Sequence, residues 1–235
     1  MSYPGVTFKR VFEAMVRATG IPVATIVSLS ADEQERYAGL INDALKDFWD
    51  YAFWPGTFEI EQRTIDPTGL HILKAATGET EIGNIDPLEC FYDDVPIPGS
   101  LKHVLSEVED RGDRIVCYDD GCPAEPYIRF QLPCPQFTRD AYAVGTTYGL
   151  GELVYDATSG NCYKSAAAAN VGHALSLAAW WTAVPFPALA LTYVKWSASS
   201  EVMAEDDGKY QQAARAQREL ERLEELFRYV GNAGR

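Results

Sequence analysis

Ser30-Ala31-Asp32-Glu33-Gln34-Glu35-Arg36-Tyr37-Ala38-Gly39-Leu40-Ile41-Asn42-Asp43-Ala44-Leu45-Lys46-Asp47-Phe48-Trp49 is the stretch on which the fold class turns. A serine followed three residues later by a glutamate is a capping box, in which the two side chains satisfy backbone N–H groups at the start of a helix. Behind it, Tyr37, Leu40, Ile41, Ala44, Leu45, Phe48 and Trp49 recur at spacings of three and four, which places them on one helical face. Trp54-Pro55-Gly56 closes the helix. Upstream, Phe8, Val11, Phe12, Met15 and Val16 repeat the same spacing until Gly20 and Pro22 stop it.

Downstream the period changes from helical to alternating. Phe58 and Ile60 alternate with Glu59 and Glu61, and 70–75 is a second strand candidate. Turn signals then crowd together: Asp66-Pro67, Gly78, Gly83-Asn84 and Asp86-Pro87. Arg114 to Tyr118 and Tyr127 to Leu132 read as a strand pair. Further on, Glu152 to Tyr155 and Cys162 to Ser165 flank Asp156-Ala157-Thr158-Ser159-Gly160-Asn161, which reads as a hairpin loop. The C-terminal part returns to helix. Leu189, Tyr193, Trp196, Ser200 and Met203 form one face. After the break at Asp206-Asp207-Gly208, the residues Ala213, Ala216, Leu220, Leu223, Phe227 and Val230 form a packing seam able to meet a helix of the same chain or another. The expected architecture is α+β: a helical bundle built from both chain ends, a central β-rich insertion and a second small β module. The expected parts are 1–56, 57–142, 143–187 and 188–235.

The 235 residues are 47% apolar and 23% charged, with five Trp, thirteen Tyr and ten Phe, a composition that supports a folded core. The net charge of -14 argues against general nucleic-acid binding, which depends on cations that neutralise phosphates. It argues equally against an anionic membrane surface. Five cysteines without a framework spacing, and no apolar run behind Lys9 and Arg10, point to a reducing compartment and no secretory signal. Ser165 to Val194 holds no Asp, Glu, Lys or Arg, but Asn170, Gly172, His173, Pro185 and Pro187 interrupt it, so it reads as a buried region and not a membrane span.

No catalytic constellation is legible. His71, His103 and His173 lack partners at metal-ligand spacing. Cys117 and Cys122, with Cys90 and Cys134 as the only further thiols near them, read as free thiols. The doublets Asp93-Asp94, Asp119-Asp120 and Asp206-Asp207 read as turns or helix ends in solvent. Gly149-Leu150-Gly151 lacks the third glycine of a dinucleotide loop, because Val154 stands there. A non-enzymatic protein without metal or cofactor is expected. The sharpest local feature is the aromatic set Tyr148, Tyr155, Tyr163, Trp180 and Trp181. Such rings either stack on sugars or form the core of a module too small to have another, and the second use is expected.

Three stretches resemble the head-to-tail adaptor proteins of tailed bacteriophages. Ile41-Asn42-Asp43-Ala44-Leu45 through Phe53-Trp54-Pro55 resembles their N-terminal helical region, which ends at a Trp-Pro. Glu81-Ile82-Gly83-Asn84-Ile85-Asp86-Pro87-Leu88, with Arg129 through Pro133, Pro135 and Phe137-Thr138, is similar to the β insertion of phage neck proteins. Residues 198–226 are similar to their C-terminal helices. Separately, Gly151-Glu152-Leu153-Val154-Tyr155, Cys162-Tyr163-Lys164-Ser165 and Trp180-Trp181-Thr182-Ala183-Val184-Pro185 resemble a small chitin-binding-type carbohydrate module, although the Ala-rich 166–169 departs from it.

The adaptor resemblance implies a structural subunit of the virion neck, assembled in the host cytoplasm. It implies a ring of roughly twelve copies on the portal protein, contact with a downstream neck or tail protein, and a channel through which DNA passes without sequence-specific binding. An acidic lumen would let DNA slide. Ala216, Leu220, Leu223 and Phe227 are the candidates for oligomer or portal contact. The alternative is a carbohydrate-binding virion or surface protein that uses Tyr155, Tyr163, Trp180 and Trp181.

Overall fold

The computed structural model of the protein describes residues 5–22, 28–51, 54, 56–66, 68, 70–75, 79–85, 91–92, 108–118, 124–204, 214–223 and 225. It is mixed α and β, with helices toward both ends and strands between them. Contacts divide the chain into two compact units. One comprises Phe53–Cys134 with Met1–Tyr3, the other Pro4–Ala52 with Pro135–Arg235.

Helix α1 (Phe8–Ala18) starts at Thr7, whose hydroxyl accepts the Arg10 N–H. Phe8, Val11, Phe12, Met15 and Val16, the expected face, are all buried. Helix α2 (Ala31–Tyr51) opens with the expected reciprocal cap: the Ser30 N–H donates to Glu33 Oε2 at 2.9 Å, and the Glu33 N–H donates to Ser30 Oγ at 3.2 Å. Its predicted stripe is buried except for Leu40, which is half-buried.

Helix α3 (Leu191–Ala204) contacts both α1 and α2. The face expected on it is corrected. Met203 is buried as anticipated, but Tyr193, Trp196 and Ser200 are only half-buried, Leu189 lies in the preceding 3₁₀ turn, and Val194, Ala198 and Ser199 lie deepest. A helix covered from more than one side needs no single apolar stripe, and small residues let neighbouring backbones approach. Residues 214–223 form α4. No helix among the described residues is long and apolar enough to cross a membrane.

In this same unit, β1 (Gly5–Val6) pairs antiparallel with β11 (Phe186–Pro187), which ties the start of α1 to the approach to α3. Strands β8 (Leu153–Asp156), β9 (Asn161–Ser165) and β10 (Trp181–Val184) form an antiparallel sheet in the order β10-β9-β8. The 143–187 segment, expected as a separate part, therefore shares a unit with the helices. The division between the units falls between Cys134 and Pro135, and Phe137, Thr138 and Arg139 bond to α2.

The other unit holds two three-stranded antiparallel sheets. One is ordered β2-β7-β4, from Phe58–Gln62, Tyr127–Gln131 and Phe91–Tyr92. The other is ordered β3-β6-β5, from His71–Leu73, Arg114–Cys117 and Val108–Asp110. The expected pairing of 114–118 with 127–132 is corrected: β6 and β7 are strands of different sheets. They meet through side chains instead. Ile115 and Cys117 of β6 share one core with Ile128 and Phe130 of β7, joined by Ile65, Ile72 and Ile82. Gly83 is where backbones touch. Its N–H donates to Gln131 O at 2.8 Å, and a Cβ there would lie 2.8 Å from that oxygen.

Candidate functional site

The module that carries the aromatic set starts from its hairpin. The Asp156 carboxylate accepts the N–H groups of Thr158 and Ser159 and folds the loop back on itself. Partial burial pushes this carboxyl up, but the bonds from Ser159 and Thr158 outweigh it and leave its pKa below the ordinary value. Gly160 follows at φ 74°, and its carbonyl accepts the Lys9 N–H at 2.9 Å. A Cβ at Gly160 would lie 2.8 Å from Lys9 Cβ, so the turn seats on the start of α1 only as glycine.

The rest of that side is bonded to α1 and α2 through residues 137–139. Asn42 donates from Nδ2 to Phe137 O at 2.8 Å and accepts the Phe137 N–H at 3.0 Å, so one amide satisfies both backbone groups. Glu35 Oε2 accepts the Thr138 hydroxyl and the Arg139 N–H. The Arg139 guanidinium lies 4.6 Å from the Phe12 ring centre and 4.0 Å from that of Tyr155, and it donates twice to Gln34 Oε1. Phe137 stacks on Phe8 at 4.8 Å and meets Phe186 at 5.2 Å. Burial raises the Tyr155 phenol pKa against the opposing charge of Arg139. Burial pushes the Cys162 thiol up to about 12, and that thiol donates to Thr138 O.

Behind this lies a second aromatic cluster. Trp181 meets Tyr148 at 5.3 Å and Tyr142 at 5.6 Å, both edge-on, and packs with Val154. The Trp181 indole N–H and the Tyr142 hydroxyl both donate to His173 O. Fully buried Asn170 donates to Ser165 Oγ and Trp180 O, and its own oxygen faces His173 Nδ1 at 3.0 Å. The His173 ring lies flat on Trp180, 3.6 Å away at 8°.

Of the four rings named for carbohydrate contact, Tyr155 and Trp181 are buried, whereas Tyr163 and Trp180 are half-buried. One face of Trp180 is taken by His173. These four side chains therefore form no open coplanar row of the kind a sugar ring stacks upon. Their arrangement is that of a core.

Other apolar side chains of the module are exposed. Val144 is 63% exposed, Leu150 70%, Val171 45% and Leu177 46%. The two loops carrying them are laced together: the Gly172 N–H donates to Val144 O, and Tyr148 and Asn170 exchange two backbone bonds. Strand β10 is a sheet edge, with Thr182 and Ala183 exposed.

Three of the four C-terminal contact candidates lie on α4. Ala216, Leu220 and Leu223 are buried within the chain itself, and Phe227 lies outside the described residues. Helix α4 lies beside α3, where the Arg215 guanidinium and the Lys195 ammonium both approach the Trp196 ring, at 5.9 and 4.1 Å. Burial lowers the Lys195 pKa, partly countered by Glu219. A helix with an apolar stripe covers it on the nearest apolar surface, here inside the chain.

In the unit of residues 53–134, an open depression is lined by Leu73, Lys74, Ile82, Gly83 and Asp113, among others. The Lys74 ammonium there is already held by Gly83 O at 2.9 Å and Asp110 Oδ2 at 2.5 Å. Arg63, 1% exposed, donates from its two terminal nitrogens to Glu61, Glu79 and the Thr80 carbonyl and lies over Phe130, while its buried Nε has no hydrogen-bond partner among the described residues. Among the described residues no three His, Cys, Asp or Glu side chains are grouped to hold a metal. Cys117 belongs to the isoleucine core, while Cys90, Cys122, His103 and the three acidic doublets lie outside the described residues.

Sequence reasoning missed Arg139, Glu35, His173 and Asn170 as structural determinants. Asn42 had been quoted only as part of a resemblance. One signal was available in it: an amide set directly beside the apolar stripe of a strong helix. Set against family models, curated proteins and solved structures, the chain matches none.

Proposed function

We propose that the protein is a structural, non-enzymatic subunit of a tailed-phage head-to-tail connector. It would form a closed ring on the portal protein, meet a downstream neck or tail protein, and leave an axial passage for DNA. The observation that carries the reading is the meeting of α1 and α2 with α3: helices from opposite ends of the chain pack together as one element, and the β-rich segment leaves and re-enters between them. This packing supports the bundle with insertions that the adaptor resemblance implies. The acidic balance supports a lumen past which DNA slides without sticking.

The test is incorporation. Virions of a phage encoding this chain are purified and their necks imaged, with native mass measurement of the released connector. The expected result is a ring of roughly twelve copies. The chain found free in infected cells and missing from particles defeats the reading.

A further inference from the structure

We propose that copies of this chain join through the 143–187 module, where the outer edge of β10 and the exposed Val144, Val171 and Leu177 meet a second copy. This builds on the reading of the chain as a ring subunit by naming the face through which subunits touch.

Three observations lead there. The first is a division within the module. The β8–β9 hairpin is fastened to α1 by the Lys9–Gly160 bond and, through Tyr155 and Cys162, to the 138–139 segment that bonds to α2, whereas exposed Val144, Val171 and Leu177 lie on two mutually bonded loops. Exposed large apolar side chains gathered on one small module, with so little charge around them, mark an interaction surface.

The second is the edge. Among the described residues no strand pairs with the far side of β10. Soluble proteins blunt exposed edges with charge, proline or a bulge, because an open edge invites another strand. Trp181-Thr182-Ala183-Val184 contains neither charge nor proline.

The third names the occupant. The chain carries 34 acidic and 20 basic residues, yet none lies between Ser165 and Val194. A basic partner would be drawn to residues 53–134, where sixteen acidic side chains face six basic ones. A second copy is itself acidic and is repelled almost everywhere. Acidic copies approach at least cost where neither contributes acid, and the stretch that carries Val171, Leu177 and β10 has none, the charged side chain in register with β10 being the cation Lys164.

The experiment is sedimentation of the purified full chain over a range of concentrations, at about 0.05 M and about 0.5 M salt. The chain is expected to associate, and more strongly at the higher salt, where screening removes the repulsion between acidic copies. Val171→Glu combined with Leu177→Glu should weaken association by about tenfold or more, and so should Ala183→Lys. The two variants change net charge in opposite directions, so a shared loss reports the face and not the overall charge. Both alter exposed positions, and an unchanged thermal melt verifies their fold. A chain that stays monomeric throughout, or association that both variants leave intact, overturns the proposal. If association is intact in the variants and the chain is present as a ring in virions, the ring reading stands and this face alone falls.

Discussion

The unit of residues 53–134 and the unit that joins residues 4–52 to 135–235 are held together by different chemistry. The first is one continuous stretch apart from its N-terminal residues, and its core is mostly isoleucine: Ile65, Ile72, Ile82, Ile115 and Ile128 with Phe130. β-branched side chains suit pleated strands, and here β2 pairs with β7 and β3 with β6, neither its neighbour in sequence. The second must bring together segments about a hundred residues apart. It does so with aromatic rings and with polar side chains bonded to distant backbone, as Asn42 to Phe137 and Glu35 to Arg139. Non-directional apolar contact would hold these segments but not fix their register; paired hydrogen bonds do both. The charge divides as well. Sixteen acidic against six basic residues fall in the first unit, eighteen against fourteen in the second.

The comparison breaks most directly at the two cores. Trp181→Ala removes the centre of the small module's cluster and should cost about 3–5 kcal/mol. Phe130→Ala should cost a similar amount in the other unit. Calorimetry is expected to show each substitution lowering a different transition. One shared transition, moved alike by both, would mean that the two units fold as one.

Asn42→Ala is next. It strips both partners from the Phe137 backbone in one step and should cost about 2–3 kcal/mol. Denaturant unfolding followed by tryptophan fluorescence would measure it. A loss below about 0.5 kcal/mol would show that aromatic contact alone sets the 137–139 segment, and the contrast between the units would weaken.

Gly160→Ala should cost about 1–2 kcal/mol, since the residue is left-handed and a Cβ would press on Lys9. Lys9→Ala keeps its Cβ and should not relieve it, whereas Lys9→Gly should. Thermal melts of the three variants separate the steric part from the backbone part.

The smallest effect concerns acid. Hydrogen bonds from the Ser30 backbone and hydroxyl hold the Glu33 carboxyl below its ordinary pKa. A carboxyl lowered on folding stabilises at neutral pH, and that contribution fades as the pH falls through the carboxylate range. Glu33→Gln should therefore lower the melting temperature at pH near 7 and lose its effect toward pH about 3. An unchanged difference at both pH values would show that the cap acts through shape and not charge.

The sequence by itself determined the local elements. The stripe from Tyr37 to Trp49, the Ser30–Glu33 cap and the alternation at Phe58–Ile60 and Ile128–Phe130 were legible because helix and strand periods are written in neighbouring residues. The Asp156–Asn161 turn was legible because Asp and Gly announce it within six positions. What only the tertiary structure decided is which elements meet. Strands 114–117 and 127–131 both read as β and as partners, yet they lie in different sheets and share a core through their side chains. Helix α3 showed a plausible stripe at Tyr193, Trp196 and Ser200 but is buried deepest at Val194, Ala198 and Ser199, because in a helix whose apolar, small and polar residues are not segregated to faces the covered side depends on its neighbours. The seam at Ala216, Leu220 and Leu223 announced that it would be buried; that it closes within its own chain is a property of where α3 stands. Asn42 and Arg139 illustrate the same limit: their bonding partners are distant in sequence, and an amide or a guanidinium carries no mark of the backbone or ring it will meet.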